Sequence, residues 1–298
     1  MTNSFVKMFD KVLSETAPYM SNSVPRMYER FGSVWEERFG ETLEKLFPED
    51  DKSLRDAVKG YVRFALDATK LQKRFEVERQ YIAKTYEEAA NAVYHNQEYM
   101  IGLYLPGILF SHFLWPHHYA QLEWFHETFA PLVRESTDKR FYDVGVGTGF
   151  YGRQVLAAIA DTVVTGVDIS RFSLEFSKWH IDRFGLSQTW NPLRQNILEP
   201  PALEPRPFFM SVEVLEHLED PLSFIKGLRK LLAKGGYGFI TAAINAPNED
   251  HIYLYTKCSE VVDQLAEGGF EVVEQFEAIA YEPRADEPVP ALGAFIVK

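Results

Sequence analysis

The stretch Phe141-Tyr-Asp-Val-Gly-Val-Gly-Thr-Gly-Phe-Tyr-Gly152 constrains this chain more than any other. A short apolar run ends in Asp143, and glycines follow at 145, 147 and 149 before a segment with helical periodicity begins. That order reads as strand, tight turn and helix. Glycines at such a turn admit positive φ and leave main-chain N–H groups open to a ligand, because no Cβ stands in the way. A second apolar strand, Val163-Val-Thr-Gly-Val-Asp168, also ends in a carboxylate. A carboxylate there takes the two hydroxyls of a ribose in α/β nucleoside sites.

The glycines alone leave two readings open. Gly147-Thr-Gly149-Phe-Tyr-Gly152 also satisfies the dinucleotide pattern, which keeps a nucleotide-dependent oxidoreductase in view. The balance shifts with Asp143 ahead of the first glycine and with Ser211-Val-Glu-Val-Leu-Glu-His217 and Leu231-Leu-Ala-Lys-Gly-Gly236 downstream. With these segments the chain resembles the class I S-adenosylmethionine-dependent methyltransferases, small-molecule branch, including the ubiquinone-pathway O-methyltransferases. The resemblance spans roughly residues 138 to 298. It implies an α/β fold, a Rossmann-like seven-stranded methyltransferase sheet whose last strand inserts antiparallel beside the fifth. It implies S-adenosyl-L-methionine as cofactor, with Asp143, Gly145, Gly147 and Gly149 around the methionine portion, Asp168 on the ribose and Asn196 at the adenine edge. Pro207 stands where relatives carry an aspartate of mostly structural role.

From residue 141 strands alternate with helices, which implies a mainly parallel sheet. Strands are expected near 140–144, 163–167, 190–195, 207–212, 237–243, 270–279 and 291–297. One helix is well marked by Asp220 as N-cap, Pro221 at the first position, an apolar face of Leu222, Ile225, Leu228 and Leu232, and Gly235-Gly236 as stop. Residues 1–135 read instead as successive helices, near 4–18, 24–46, 53–70, 77–98 and 117–133. The expected division is therefore a helical lid or specificity domain over 1–135 and a cofactor-binding catalytic domain over 136–298. The 298 residues, with 46% hydrophobic content, are enough for two packed domains.

Charge and cysteine usage narrow the partners. Forty-three Asp and Glu against 31 Lys and Arg give a net charge of −12, a field that repels phosphate backbones and anionic membrane surfaces. A small-molecule substrate is expected, with no nucleic acid and no membrane. The sole cysteine, Cys258, excludes an internal disulfide, and the N-terminus lacks a signal-peptide pattern, so a cytoplasmic location is expected. Oligomeric state is not legible.

Two segments carry further candidates. Residues 99–128 hold four of the eight histidines among dense aromatics. They read either as interdomain packing or as a lid whose aromatic walls shape the acceptor pocket, with Tyr104, His117 and Tyr119 as pocket candidates. Glu213-Val-Leu-Glu216-His217 reads either as an end-of-strand segment that holds a loop and the cofactor's amino end, or as a metal site. Glu213, Glu216, His217 and the later His251 make a mixed oxygen and nitrogen set suited to Mg, Mn, Fe or Zn. This Glu-x-x-Glu-His arrangement is also similar to that of the small-RNA 2′-O-methyltransferases, where a metal holds the acceptor hydroxyls. His217, His251 and Glu213 are the catalytic candidates, since a hydroxyl acceptor needs a base or a cation that acidifies it. The expected function is methyl transfer to a hydroxyl, enol or amine of a metabolite. An oxidoreductase and a non-catalytic cofactor-binding subunit are the alternatives.

Overall fold

A computed structural model describes residues 2–48, 51–284 and 286–298. Helix α1 (Ser4–Thr16) starts where Asn3 Oδ1 accepts from the backbone N–H groups of Phe5 and Val6, satisfying donors the helix itself leaves open. Helix α2 (Ser23–Leu46) is two helical stretches meeting at Gly32, whose φ of 68° breaks the expected continuous run. Helix α3 runs from Asp51 to Glu78. Phe9, Phe39 and Phe110 meet edge to face at the centre of this bundle, and Trp35 Nε1 donates to Phe113 O at 2.7 Å. Each aromatic pair adds about 0.5–1.5 kcal/mol beyond the area it buries.

The expected helix over 77–98 is not one helix. α3 ends at Glu78, Arg79 takes a φ of 57°, and the chain restarts at Tyr86 behind a capping box. Thr85 Oγ1 accepts from Glu88 N–H, and the Glu88 carboxylate accepts from Thr85 N–H. Short α and π turns then carry the chain through 86–104.

From Arg140 the sheet forms in the order β3-β2-β1-β4-β5-β7-β6. Its strands are β1 (Arg140–Val144), β2 (Val163–Asp168), β3 (Trp190–Arg194), β4 (Arg206–Ser211), β5 (Leu232–Ile244), β6 (Val272–Ile279) and β7 (Ala291–Val297). The first five pair in parallel, and β7 lies antiparallel between β5 and β6. The helix Pro221–Leu231 is capped by Asp220 as expected but ends one residue before Leu232, which opens β5. Gly235-Gly236 therefore lies within the strand; a Cβ on Gly236 would come within 2.2 Å of Pro207 O, so close strand pairing explains that glycine.

Helices end at Glu135 and the sheet begins at Arg140. The two parts nevertheless share one hydrophobic core. Phe125 and Phe129 pack against Phe239 of β5, and Trp124 stacks on Phe276 of β6 at 5.5 Å. The helical part is thus fused to one face of the sheet, with its 86–118 segment brought over the carboxyl ends of the parallel strands.

That ceiling depends on a close approach. A Cβ on Gly60 of α3 would lie 2.2 Å from the carbonyl oxygen of Gly102, whereas one on Gly102 would meet nothing within 4 Å. Gly60→Ala is expected to destabilise the protein by about 1–3 kcal/mol, the usual cost of overpacking, and Gly102→Ala to change stability by under about 1 kcal/mol. Urea unfolding of the two variants checks the contrast.

Candidate functional site

A cleft of ≈ 1250 Å³ opens where the parallel strands end, the edge at which open α/β sheets bind ligands. Its floor is the glycine loop. Gly145, Gly147 and Gly149 have φ of 73°, 50° and 70°, which L side chains rarely adopt. Gly145 N–H donates to Val167 O at 2.8 Å, and a Cβ at Gly145 would meet Val214 at 2.4 Å. Gly145 and Gly147 line the cleft; Gly149 does not, and a Cβ there would come within 2.8 Å of Ser177.

Both predicted carboxylates face this cleft. Asp168 Oδ1 accepts from Ser170 N–H at 2.8 Å and Oδ2 from Gly147 N–H at 3.2 Å, fixing the carboxylate at the strand end. Burial pushes its pKa up to about 6 against these backbone donors. Burial, and then the Asp168 charge, hold the Asp143 carboxyl well above the usual carboxylate range. Asn196 also lines the cleft, but its amide is engaged locally, donating to Glu199 Oε1 at 3.1 Å and accepting from Leu198 N–H at 3.0 Å.

The Glu213–His217 segment and residues 250–253 are stitched together by the carbonyl of Glu216, which accepts from Ile252 and Tyr253 N–H at 2.7 and 2.9 Å. This brings ligand atoms of Glu216, His217 and His251 within 4.8 Å of one another. Glu216 has no exposed surface, and neither carboxylate oxygen has a hydrogen-bond partner. Burial raises its pKa, only partly offset by the His217 charge and by backbone dipoles. His251 Nδ1 donates to Ala246 O at 2.6 Å, and His217 Nδ1 lies 3.1 Å from Asp250 O, leaving Nε2 of each ring as the free ligand atom. A carbonyl behind each imidazole is what fixes the tautomer of a metal-ligating histidine.

Glu213 departs from the expected four-membered set. It stands at φ 53°, and Thr241 Oγ1 donates to its Oε1 at 2.7 Å while accepting from its N–H at 2.8 Å. It borders the three ligand groups rather than joining them; burial and the Glu216 charge hold its carboxyl well above the usual range.

The two histidines also divide differently from expectation. Burial disfavours charge on His217, but the Asp250 carboxylate, 3.2 Å from its Nδ1, and the Glu216 charge overcome this and push its pKa up to about 10. With no cation bound it is an imidazolium at neutral pH and no base. His251 is pushed down to about 3 by burial and by the His217 charge, so it is neutral.

Sequence reasoning missed three residues here. Asp250 is fully buried and accepts from the hydroxyls of Tyr94, at 2.8 Å, and Tyr104. Tyr81 packs edge-on against His251, and its hydroxyl lacks a partner. Asp250 sits beside His251 in the chain, a signal that was available; Tyr81 and Tyr94 lie in no recognisable pattern. Of the pocket candidates, Tyr104 and His117 line the cleft. Tyr119 does not: it is fully buried against Phe31 and Phe113 in the helical core, with Arg38 donating to its hydroxyl at 3.4 Å. Among the described residues no helix is long and apolar enough to cross a membrane.

Residues 142–237 match the family profile described as a methyltransferase domain. The chain is also similar to the ubiquinone biosynthesis O-methyltransferases of Nitrosomonas europaea (30% identical over 144 residues, 47% of this chain and 58% of the relative) and Ralstonia nicotianae (32% over 123 residues, 41% and 48%). The matches thus span about half the length of these curated relatives. Among solved structures it is similar to a SAM-dependent methyltransferase from Geobacter sulfurreducens in complex with S-adenosyl-L-homocysteine, at 14% identity and a TM-score of 0.44, covering 58% of this chain and 89% of that one. The antiparallel β7 completes a single sheet beside β5, as the resemblance implied.

The His217–Asp250 pair yields a direct prediction. Its stabilisation is fully present below the ordinary histidine pKa of about 6.5 and is lost as pH rises through about 10. In chelator-treated protein the His217 ring resonances should remain those of an imidazolium at pH 8.5, measured by NMR. In Asp250→Asn the same ring should titrate below its ordinary value, because burial then dominates.

Proposed function

We propose that this protein is an S-adenosylmethionine-dependent methyltransferase for a small-molecule hydroxyl or enol, assisted by a divalent cation at Glu216, His217 and His251. The observation that carries the reading is that the Asp168–glycine-loop cradle and the two histidines of this cluster line one cleft, with the Glu216 carboxylate buried behind them. The curated relatives, named as O-methyltransferases, support it. At −12 the chain's charge favours a small acceptor over a nucleic acid.

The residues present fit both groups. The positive-φ glycines leave the loop backbone bare, and Asp168 is held by backbone donors with its carboxylate facing the cleft, so these residues and Asp143 would hold the cofactor. Glu216, with two buried oxygens lacking partners, and the Nε2 atoms of His217 and His251 would hold a cation, which answers a charge otherwise costly to bury. S-adenosylmethionine supplies an electrophilic methyl and a divalent cation supplies Lewis acidity toward a hydroxyl. The chain's own contribution is position and a dry site. Tyr94 and Tyr104 roof the cluster and clamp Asp250, which holds the His217 ring through Nδ1. His251, neutral and with Nδ1 committed to Ala246, keeps Nε2 available as ligand or as acceptor of the hydroxyl proton.

Two outcomes test this. Asp168→Ala should weaken S-adenosylmethionine binding by about 1.5–3 kcal/mol, the scale for hydrogen bonds to a charged group. Wild-type affinity should fall as pH drops through about 6, where Asp168 protonates, and calorimetry from pH 5 to 8 reads both effects. Unchanged affinity in the variant contradicts the cradle. Elemental analysis should find a divalent metal in the purified wild type that Glu216→Gln and His251→Ala lose while still binding cofactor. A metal retained by both variants contradicts the cation site.

A further inference from the structure

The loop that carries Asp250 and His251 is closed by a residue that does not itself line the cleft. Asn245 follows the last residue of β5, is 6% exposed and stands at φ 50°, a left-handed conformation that asparagine adopts more readily than most L residues. Its N–H donates to Tyr255 O at 3.0 Å, and Ile244 and Tyr255 form a parallel bridge beside it. The two ends of residues 246–254 therefore meet. Its side-chain Nδ2 donates to Thr256 O at 2.9 Å and to Val289 O at 3.1 Å, which uses both amide hydrogens, and its carbonyl accepts from Gln72 Nε2 of α3 at 3.2 Å. One residue thus ties together β5, the 246–255 loop, the segment before β7 and the helical part.

The change of direction out of β5 falls to this position. Pro247 disfavours a helical backbone at Ala246, the residue before it, so the turn is made one residue earlier. That turn leaves Ala246 O 2.6 Å from His251 Nδ1. A carbonyl only accepts, so Nδ1 carries the proton and Nε2 is left to the cluster with Glu216 and His217. The other anchor of the loop, the Glu216 carbonyl with Ile252 and Tyr253 N–H, fixes the chain after His251 but not its ring. A glycine would adopt the left-handed turn without strain; the side-chain amide is what a glycine does not supply.

We infer that Asn245 is a positioning residue for the cation site: by closing the 246–255 loop it holds Ala246 O against His251 Nδ1 and so fixes the ligand ring. The inference rests on the cation reading and adds to it a residue outside the cleft. Asn245 acts through Ala246 and takes no part in the transfer.

Calorimetry of Mn²⁺ and of S-adenosylhomocysteine on the full chain tests this in wild type, Asn245→Gly and Asn245→Asp. Glycine keeps the turn and loses the amide; aspartate keeps the size and sets a carboxylate against two carbonyl oxygens. Each variant should bind Mn²⁺ at least about tenfold more weakly, the low end of the loss expected when support behind a metal-ligating histidine is removed. S-adenosylhomocysteine affinity should stay within about twofold of wild type, as for independent sites. In cation-free protein carrying ¹⁵N-labelled histidine, the His251 Nδ1 proton should give a protected imidazole N–H resonance in wild type that solvent exchange removes in both variants. Thermal melts show which variants are folded. Three results overturn the inference and leave the cation reading standing: unchanged Mn²⁺ affinity and His251 resonance in a folded variant, a parallel loss of S-adenosylhomocysteine affinity, or failure of both variants to fold, which would make Asn245 a support of the fold rather than of the site. Wild type that binds S-adenosylhomocysteine but no Mn²⁺ overturns the cation reading together with the inference.

Discussion

A carboxylate with no exposed surface and no hydrogen-bond partner is among the most costly groups a protein can bury, and Glu216 is one. Much of the local architecture answers that charge. His217 is kept cationic beside it by Asp250, and His251 is turned toward it by Ala246. The Glu216 main chain anchors residues 252 and 253, so the loop that carries Asp250 and His251 is set by the same residue whose side chain they surround. Two tyrosines from the helical part close the arrangement through Asp250. Loss of any member leaves a buried charge without its counterpart, a situation worth about 3–5 kcal/mol in other buried pairs.

The helical part is what makes the site dry. Its 105–135 segment is fused to the sheet through Trp124, Phe125 and Phe129, so the 86–118 stretch is carried at a fixed height over the strand ends. The aromatic and histidine side chains of that stretch line the same cleft as the glycine loop and Asp168. Transfer between two bound molecules gains most from such walls, because orientation and exclusion of water lower the barrier without any covalent step by the protein.

The sheet was legible because its signals are local. Strands β1, β2, β4 and β7 contain short apolar runs, and all seven expected positions fall on observed strands. Asp168 and Gly147 could be placed because the pattern that identifies them is contiguous. The rest depends on tertiary contacts. Nothing near Tyr94 shows that it reaches a residue 156 positions away, and Tyr119 resembles a pocket residue until its ring is seen among Phe31 and Phe113. Glu213 has the right spacing for a ligand, but its left-handed backbone turns the side chain to Thr241. The 77–98 region misled because apolar periodicity continues across a break set by Arg79 and the Thr85 capping box. His217 was the natural base by residue type, and only its buried neighbour Asp250 reverses that role.

The most direct measurement is anomalous diffraction from crystals grown with Mn²⁺ and S-adenosylhomocysteine. A single strong peak bonded to the Glu216 carboxylate and to Nε2 of both His217 and His251, beside the cleft that holds the nucleoside against Asp168, is the predicted result. No peak at Glu216 in crystals that do contain the nucleoside, with its carboxyl hydrogen-bonded instead to a neighbouring side chain, would contradict the cation site. Nucleoside bound away from Asp168 would contradict the cleft as the place of transfer.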